Sequence, residues 1–214
     1  ENQKRYLEKI NISSKNDKEK DYYYILDEIG LLSEVQMNSY EFHIWGSNAS
    51  NKNKPNMMVF DLDPDKSLSL DKLRLGVKYL KEILDNLNLK SFLKTSGGKG
   101  YHICIPFKNN LTWKKFYKIS EDIANIIENT HSELFTTNNR KEKRKNKIFI
   151  DYLRNQKSAT FVAPYSVRLR KNAPVSMPIA WNELDKIKPN EITIYKAIKR
   201  LKKKDPWKDF FTSN

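Results

Sequence analysis

Residues 57–65 read Met57-Met58-Val59-Phe60-Asp61-Leu62-Asp63-Pro64-Asp65, an apolar run that drives straight into acid. The apolar start suits a short buried strand, and Pro64 stops it. Side chains on a strand alternate faces, so Asp61 and Asp63 point one way while Leu62 points into the core. Two carboxylates side by side repel each other, and a divalent cation is the simplest charge that offsets the repulsion. The stretch therefore predicts a core strand whose end carries an acidic pair.

Working outward, Leu73, Val77, Leu80, Leu84 and Leu87 recur at helical spacing and predict an amphipathic helix over residues 70–87. Residues 91–95 and 101–106 read as strands on either side of a glycine-rich loop. Thr112 is placed to N-cap a second helix marked by Trp113, Phe116, Ile119, Ile123 and Ile126, and His131 to cap its end. Residues 147–153 form a further strand. Upstream, residues 6–12, 22–26 and 40–45 read as strands and 28–36 as a short helix, with 1–20 otherwise polar and weakly ordered. Downstream, residues 165–170 alternate like a strand, while 181–187 and 192–201 read as helices. Strands alternating with helices around one core, with no repeat and no linker, predict a mixed α/β sandwich.

Lys and Arg number 40 against 26 Asp and Glu in 214 residues, a net charge of +14. Such a charge speaks of polyanionic partners, nucleic acid first among them. No apolar run approaches the ~20 residues of a membrane-spanning helix. No basic amphipathic stretch has a clean apolar face for a membrane surface. The single cysteine, Cys104, excludes an intrachain disulfide and a cysteine-based zinc site. Its apolar neighbours mark it as a small core residue.

Several stretches could carry chemistry. The loop Lys94-Thr95-Ser96-Gly97-Gly98-Lys99-Gly100-Tyr101-His102 lies between two strands. Its glycines permit close backbone approach, successive N–H groups could form an anion nest, and Ser96, Lys99 and His102 add donors for phosphate. Its spacing is not that of a P-loop, and an ordinary glycine hairpin with solvated lysines accounts for it equally well. Asp151 ends a second apolar strand and would supply the third carboxylate of a two-metal centre; taken alone, a turn cap or surface ion pair explains it. Arg168 and Arg170, two apart on a predicted strand, share a face and suit phosphate. The run from Arg140 to Lys147, including Arg144, reads as a solvated loop or as a contact for a nucleic-acid backbone. His43 fits a satisfied core histidine as well as a site residue.

Taken in order, FDLDP, TSGGKGYH, FIDYLRN, APYSVRLR and APVSMPIAWNEL resemble the polymerase domain of bacterial ligase D, a member of the archaeo-eukaryotic primase superfamily; EFHIWGS at 41–47 resembles its histidine-bearing stretch. The resemblance runs over residues 22–207. It implies an α+β fold, an RRM-like mixed β-sheet of the primase type flanked by α-helices, with residues 22–214 as the catalytic domain and 1–21 as an N-terminal segment that matches poorly. Family members carry a longer basic N-terminal region that holds a 5′-phosphate. The resemblance assigns two divalent ions, Mn²⁺ or Mg²⁺, to Asp61, Asp63 and Asp151. It gives the nucleotide's triphosphate to Ser96, Gly97, Gly98, Lys99 and His102, with Arg144, Arg168 and Arg170 on its phosphates, and it sets His43 and Arg154 near the reacting centre. The implied activity is addition of NTPs or dNTPs, ribonucleotides by preference, to DNA 3′ ends during non-homologous end joining. The implied setting is the bacterial cytoplasm at the nucleoid, with Ku and a DNA ligase as partners and no membrane. Competing readings are a non-catalytic DNA-end-binding module, a de novo primase and a metal-dependent nuclease. The intact carboxylate trio argues against the first, and a triphosphate-type loop against the last.

Overall fold

The computed structural model describes residues 6–13, 19–108 and 111–213. Strands β1 (Glu8–Ser13) and β2 (Glu19–Tyr24) form an antiparallel hairpin, where the sequence suggested strands over residues 6–12 and 22–26. Helix α1 (Glu28–Gln36) follows, capped by Asp27, whose carboxylate accepts the Gly30 N–H at 2.8 Å. Next come β3 (His43–Trp45), shorter than expected, and the acidic strand β4 (Met57–Pro64). Helix α2 (Leu70–Asn86) leads to β5 (Phe92–Thr95), the glycine loop and β6 (Tyr101–Pro106). Helix α3 (Trp113–Thr130) precedes β7 (Phe135–Thr136), β8 (Ile148–Asp151) and β9 (Thr160–Val162). Strand β10 (Pro178–Ile179) and helix α4 (Ile194–Arg200) complete the order.

Six strands make the central sheet in the order β10-β5-β6-β4-β8-β7, mixed because β7 runs parallel to β8 while the other pairs are antiparallel. Strand β4 sits inside it, which is why its apolar residues are buried on both faces. One face carries Met58, Phe60 and Leu62 of β4 with Ile103, Ile105 and Ile150 of its neighbours. It packs in one cluster with Leu73, Val77, Leu80 and Leu84 of α2 and Phe116, Ile123 and Ile127 of α3. Both helices start at hydroxyl caps, Ser69 and Thr112, which accept the N–H groups of Lys72 and Lys115. His131 caps α3, as its position suggested, and stacks on Tyr79 at 3.9 Å between ring centroids.

The opposite face divides in two. At one end Met57, Val59, Phe92 and Cys104 are covered by Trp207, Phe210 and Phe161. At the other end the same alternation places polar groups on this face: Lys94, His102, Asp61 and Asp151 stand side by side on β5, β6, β4 and β8. Directly opposed residues of paired strands share a face, so this row forms one polar shelf beside an apolar floor. The β3–β9 ribbon carries Phe161 and His43. No helix among the described residues is long and apolar enough to cross a membrane.

Two predicted elements are different. Residues 165–170 do not form a strand. Tyr165, Asn172 and Ala173 have φ of 66°, 68° and 42°, and Val167 makes only an isolated bridge to Val175; the alternation there belongs to an irregular loop. Residues 181–187 hold a single 3₁₀ turn, Trp181–Glu183, rather than a helix.

Candidate active site

Asp61 and His102 of the polar shelf line a cavity of about 460 Å³. Asp61 and Asp63 both line it, as the strand alternation requires. His102, the β6 partner of Asp61, presents Nε2 3.4 Å from Asp61 Oδ1. Asp151 pairs with Asp61 across β8 but lies behind the cavity lining, 7% exposed, with the Arg154 Nε at 3.0 Å from its Oδ2. Arg154 itself lines the cavity, and so does His43, which is exposed there rather than buried in a core.

Basic side chains share the cavity with the carboxylates. Lys99, Arg168 and Arg170 line it together with Ser96 and Gly98. Arg168 and Arg170 arrive from the irregular loop and still reach the same space. Arg168 Nη1 donates to the Ser96 carbonyl at 2.6 Å, and its Nε stands 3.1 Å from Glu41 Oε1, off-axis for a hydrogen bond. Gly97 does not line the cavity, but it shapes the wall: its φ is +67°, and a Cβ there would meet Arg168 Cγ at 2.5 Å. Gly100 allows an equally close approach, since a Cβ would lie 1.9 Å from the Leu62 carbonyl oxygen.

The loop does not offer the backbone anion nest that its glycines suggested. The N–H groups of Gly98 and Gly100 donate to Ser96 Oγ at 3.0 and 3.3 Å. That of Ser96 goes to the Gly100 carbonyl and that of Gly97 to the Pro189 carbonyl. Ser96 thus braces the loop, and Lys99 carries its positive charge into the cavity. Arg144 also lies off the cavity lining. It stacks 3.6 Å over the Phe149 ring and places Nη1 3.6 Å from Asp63 Oδ2.

The carboxylates are electrostatically unequal. Burial and the charge of Asp61 push Asp63 upward, only partly offset by Lys99, Arg144 and Arg170. Burial and Asp61 likewise push Asp151 upward against the pull of Arg154 and the Leu153 N–H. Burial also works to raise Asp61, yet His102, Lys94 and Arg154 hold it below the ordinary carboxylate value. His102 is pushed down by burial, with Lys94 and Arg168 adding to the effect. The carboxylate oxygens carried on one face of the sheet fit a hard divalent cation by donor type. Among the described residues, no three His, Cys, Asp or Glu side chains converge into a ready-made cage. Instead each carboxylate has a basic neighbour: His102 for Asp61, Arg144 for Asp63 and Arg154 for Asp151.

Two residues of this region escaped the sequence reading. Lys94 is fully buried, donates to Ser176 Oγ at 2.5 Å, and is lowered to about 8 by burial; a charged residue in an otherwise apolar strand was its only signal. Glu41 ties His43 and Arg168 together, through a contact no local pattern announces.

A family model described as the LigD primase-polymerase domain matches residues 1–207, the N-terminal 21 included. The multifunctional non-homologous end joining protein LigD of Pseudomonas aeruginosa is 36% identical over 184 residues, which cover 84% of this chain and 22% of that protein. The bifunctional non-homologous end joining protein LigD of Bacillus subtilis is 32% identical over 177 residues, 80% of this chain and 28% of that protein. The chain thus spans between a fifth and a third of the length of these relatives. The polymerase domain from Mycobacterium tuberculosis Ligase D, solved in complex with DNA, superimposes with a TM-score of 0.88 at 24% identity. The match covers 99% of this chain and 76% of that one and shows the shared fold.

Proposed function

This chain belongs to the family of LigD primase-polymerase domains, and on that premise we propose that it is a template-directed nucleotidyltransferase. It extends DNA 3′ ends with NTPs or dNTPs during non-homologous end joining at the nucleoid, beside Ku and a DNA ligase. One observation carries this reading: a single cavity lined both by the carboxylates Asp61 and Asp63 and by the cations Lys99, Arg168 and Arg170. Phosphoryl transfer from a triphosphate needs both signs of charge.

Divalent cations, Mn²⁺ or Mg²⁺, held by Asp61, Asp63 and Asp151 would activate the 3′-hydroxyl and steady the departing pyrophosphate. Lys99, Arg168 and Arg170 neutralise the triphosphate. Ser96 and Gly98 keep the loop in shape beneath it, and Gly97 leaves Arg168 its path. His102, buried and drawn toward its neutral form, orients Asp61. Arg144 and Arg154 hold the side chains of Asp63 and Asp151 in place. His43, on the exposed side, faces the primer end.

The test is extension of a labelled primer–template with Mn²⁺ or Mg²⁺ and either NTPs or dNTPs, beside an Asp61→Ala/Asp63→Ala control. We expect extension by the parent and a loss of at least about a hundredfold in the control, the size of effect when a preorganised charge-stabilising group is removed. The arginine-paired carboxylates and the absence of a preformed cage among the described residues favour one second reading, a DNA-end-binding module without catalysis. DNA binding without extension under either metal would select it.

A further inference from the structure

Glu41 puts a negative charge beside the cations that receive the anion, where simple electrostatics disfavours it. Its contacts account for its presence. Oε1 lies 2.8 Å from His43 Nε2 and 3.1 Å from Arg168 Nε. Oε2 accepts the Leu169 N–H at 3.0 Å. Arg168 is held at its other end by the Ser96 carbonyl, and its aliphatic stem crosses the space left by Gly97. The carboxylate therefore joins the approach to β3, the loop bearing Arg168 and, through Arg168, the glycine loop. We propose that Glu41 is a positioning residue for the triphosphate site, fixing Arg168 in the orientation that receives phosphate. The inference rests on the nucleotidyltransferase reading given above.

Two further observations support it. Although burial opposes it, Glu41 is held at about 2 by His43, the Leu169 N–H and Arg168, so its charge persists at every working pH. Arg168 is only 14% exposed at its side chain, so its guanidinium cannot sweep freely for a ligand. A long cation fixed before binding loses less side-chain entropy when phosphate arrives.

The two accounts of Glu41 differ in sign. If it acts only as a charge, neutralising it should tighten anion binding. If it positions Arg168, neutralising it should weaken binding, and only while Arg168 is present. The measurement is calorimetric binding of inorganic tripolyphosphate and of ATP to the parent, Glu41→Gln, Glu41→Asp, Arg168→Ala and the Glu41→Gln/Arg168→Ala double variant. We expect Glu41→Gln to weaken binding about tenfold and to add less than about twofold to the loss in Arg168→Ala. Glu41→Asp keeps the charge but loses reach, so it should weaken binding as well. In primer extension, Glu41→Gln should raise the nucleotide KM with kcat within about twofold. Unchanged or tighter binding in Glu41→Gln, unchanged binding in Glu41→Asp, or independent losses in the double variant would each overturn the proposal. Anion binding needs no catalysis, so a parent that binds tripolyphosphate but never extends a primer would count against the polymerase reading alone.

Discussion

Asp63 carries a charge that the metal-free fold disfavours. Its carboxyl is raised by burial and by Asp61, so the folded state takes up a proton more readily than the unfolded chain. Its favourable contribution is then present at low pH and is lost as pH rises through the raised value. Asp63→Asn removes that cost. In the presence of a chelator the variant should melt at a higher temperature than the parent at neutral pH. The gap should close as pH falls toward the ordinary carboxylate range, about 4, where the parent is protonated too. A lower melting temperature for Asp63→Asn at neutral pH would contradict the electrostatic account. The Asp61–Asp63 pair could be read from sequence because alternation along a strand is local. Glu41 and Lys94 could not be read. Glu41 meets Leu169 across 128 positions, and Lys94 meets Ser176 across 82. Pairings of that separation exist only once the sheet and its loops have assembled.

At the scale of elements, legibility followed periodicity. Helices α2 and α3 showed themselves because apolar residues recur every three to four positions and a hydroxyl cap precedes each. The segment that carries Arg168 and Arg170 alternates like a strand, yet positive φ at Tyr165, Asn172 and Ala173 takes it out of the sheet. Strands β7 and β10 are two residues long, too short to leave a pattern. The glycine loop was legible as a connection between two strands but not in its internal bonding, since Ser96 turns inward to brace it. That bonding separates its glycines by consequence. At Gly100 a Cβ would strike the Leu62 backbone, whereas at Gly98 it meets side-chain atoms of Arg170 and Ser96 at 3.3 Å or beyond. Gly100→Ala should cost on the order of 1–3 kcal/mol and Gly98→Ala less than about 0.5 kcal/mol, measured by chemical denaturation. Gly98→Ala should instead raise the nucleotide KM, because Arg170 must yield. Equal stability losses in the two variants would argue against this account of the loop.

For the whole molecule, charge is the dominant property. A surplus of 14 positive charges predicts that DNA affinity falls about a hundredfold or more between 0.05 and 0.2 M salt, as counterions compete for the phosphates. Fluorescence anisotropy with a labelled duplex measures it, and a flat response would exclude backbone contacts as the source of affinity. Charge and fold class were readable from composition and pattern, because both are sums over many residues. The split face of the sheet was not readable, because it depends on which segments return to cover it. Cys104 lies under that cover, fully buried in the cluster with Trp207 and Phe210, its thiol pushed up to about 12 by burial. The protein therefore carries one thiol that stays silent while Trp207, Phe210 and Phe161 stay packed over it. Its rate of reaction with an alkylating reagent becomes a stopwatch for local opening of that cover, one that should slow if nucleotide or DNA braces the sheet from its other end.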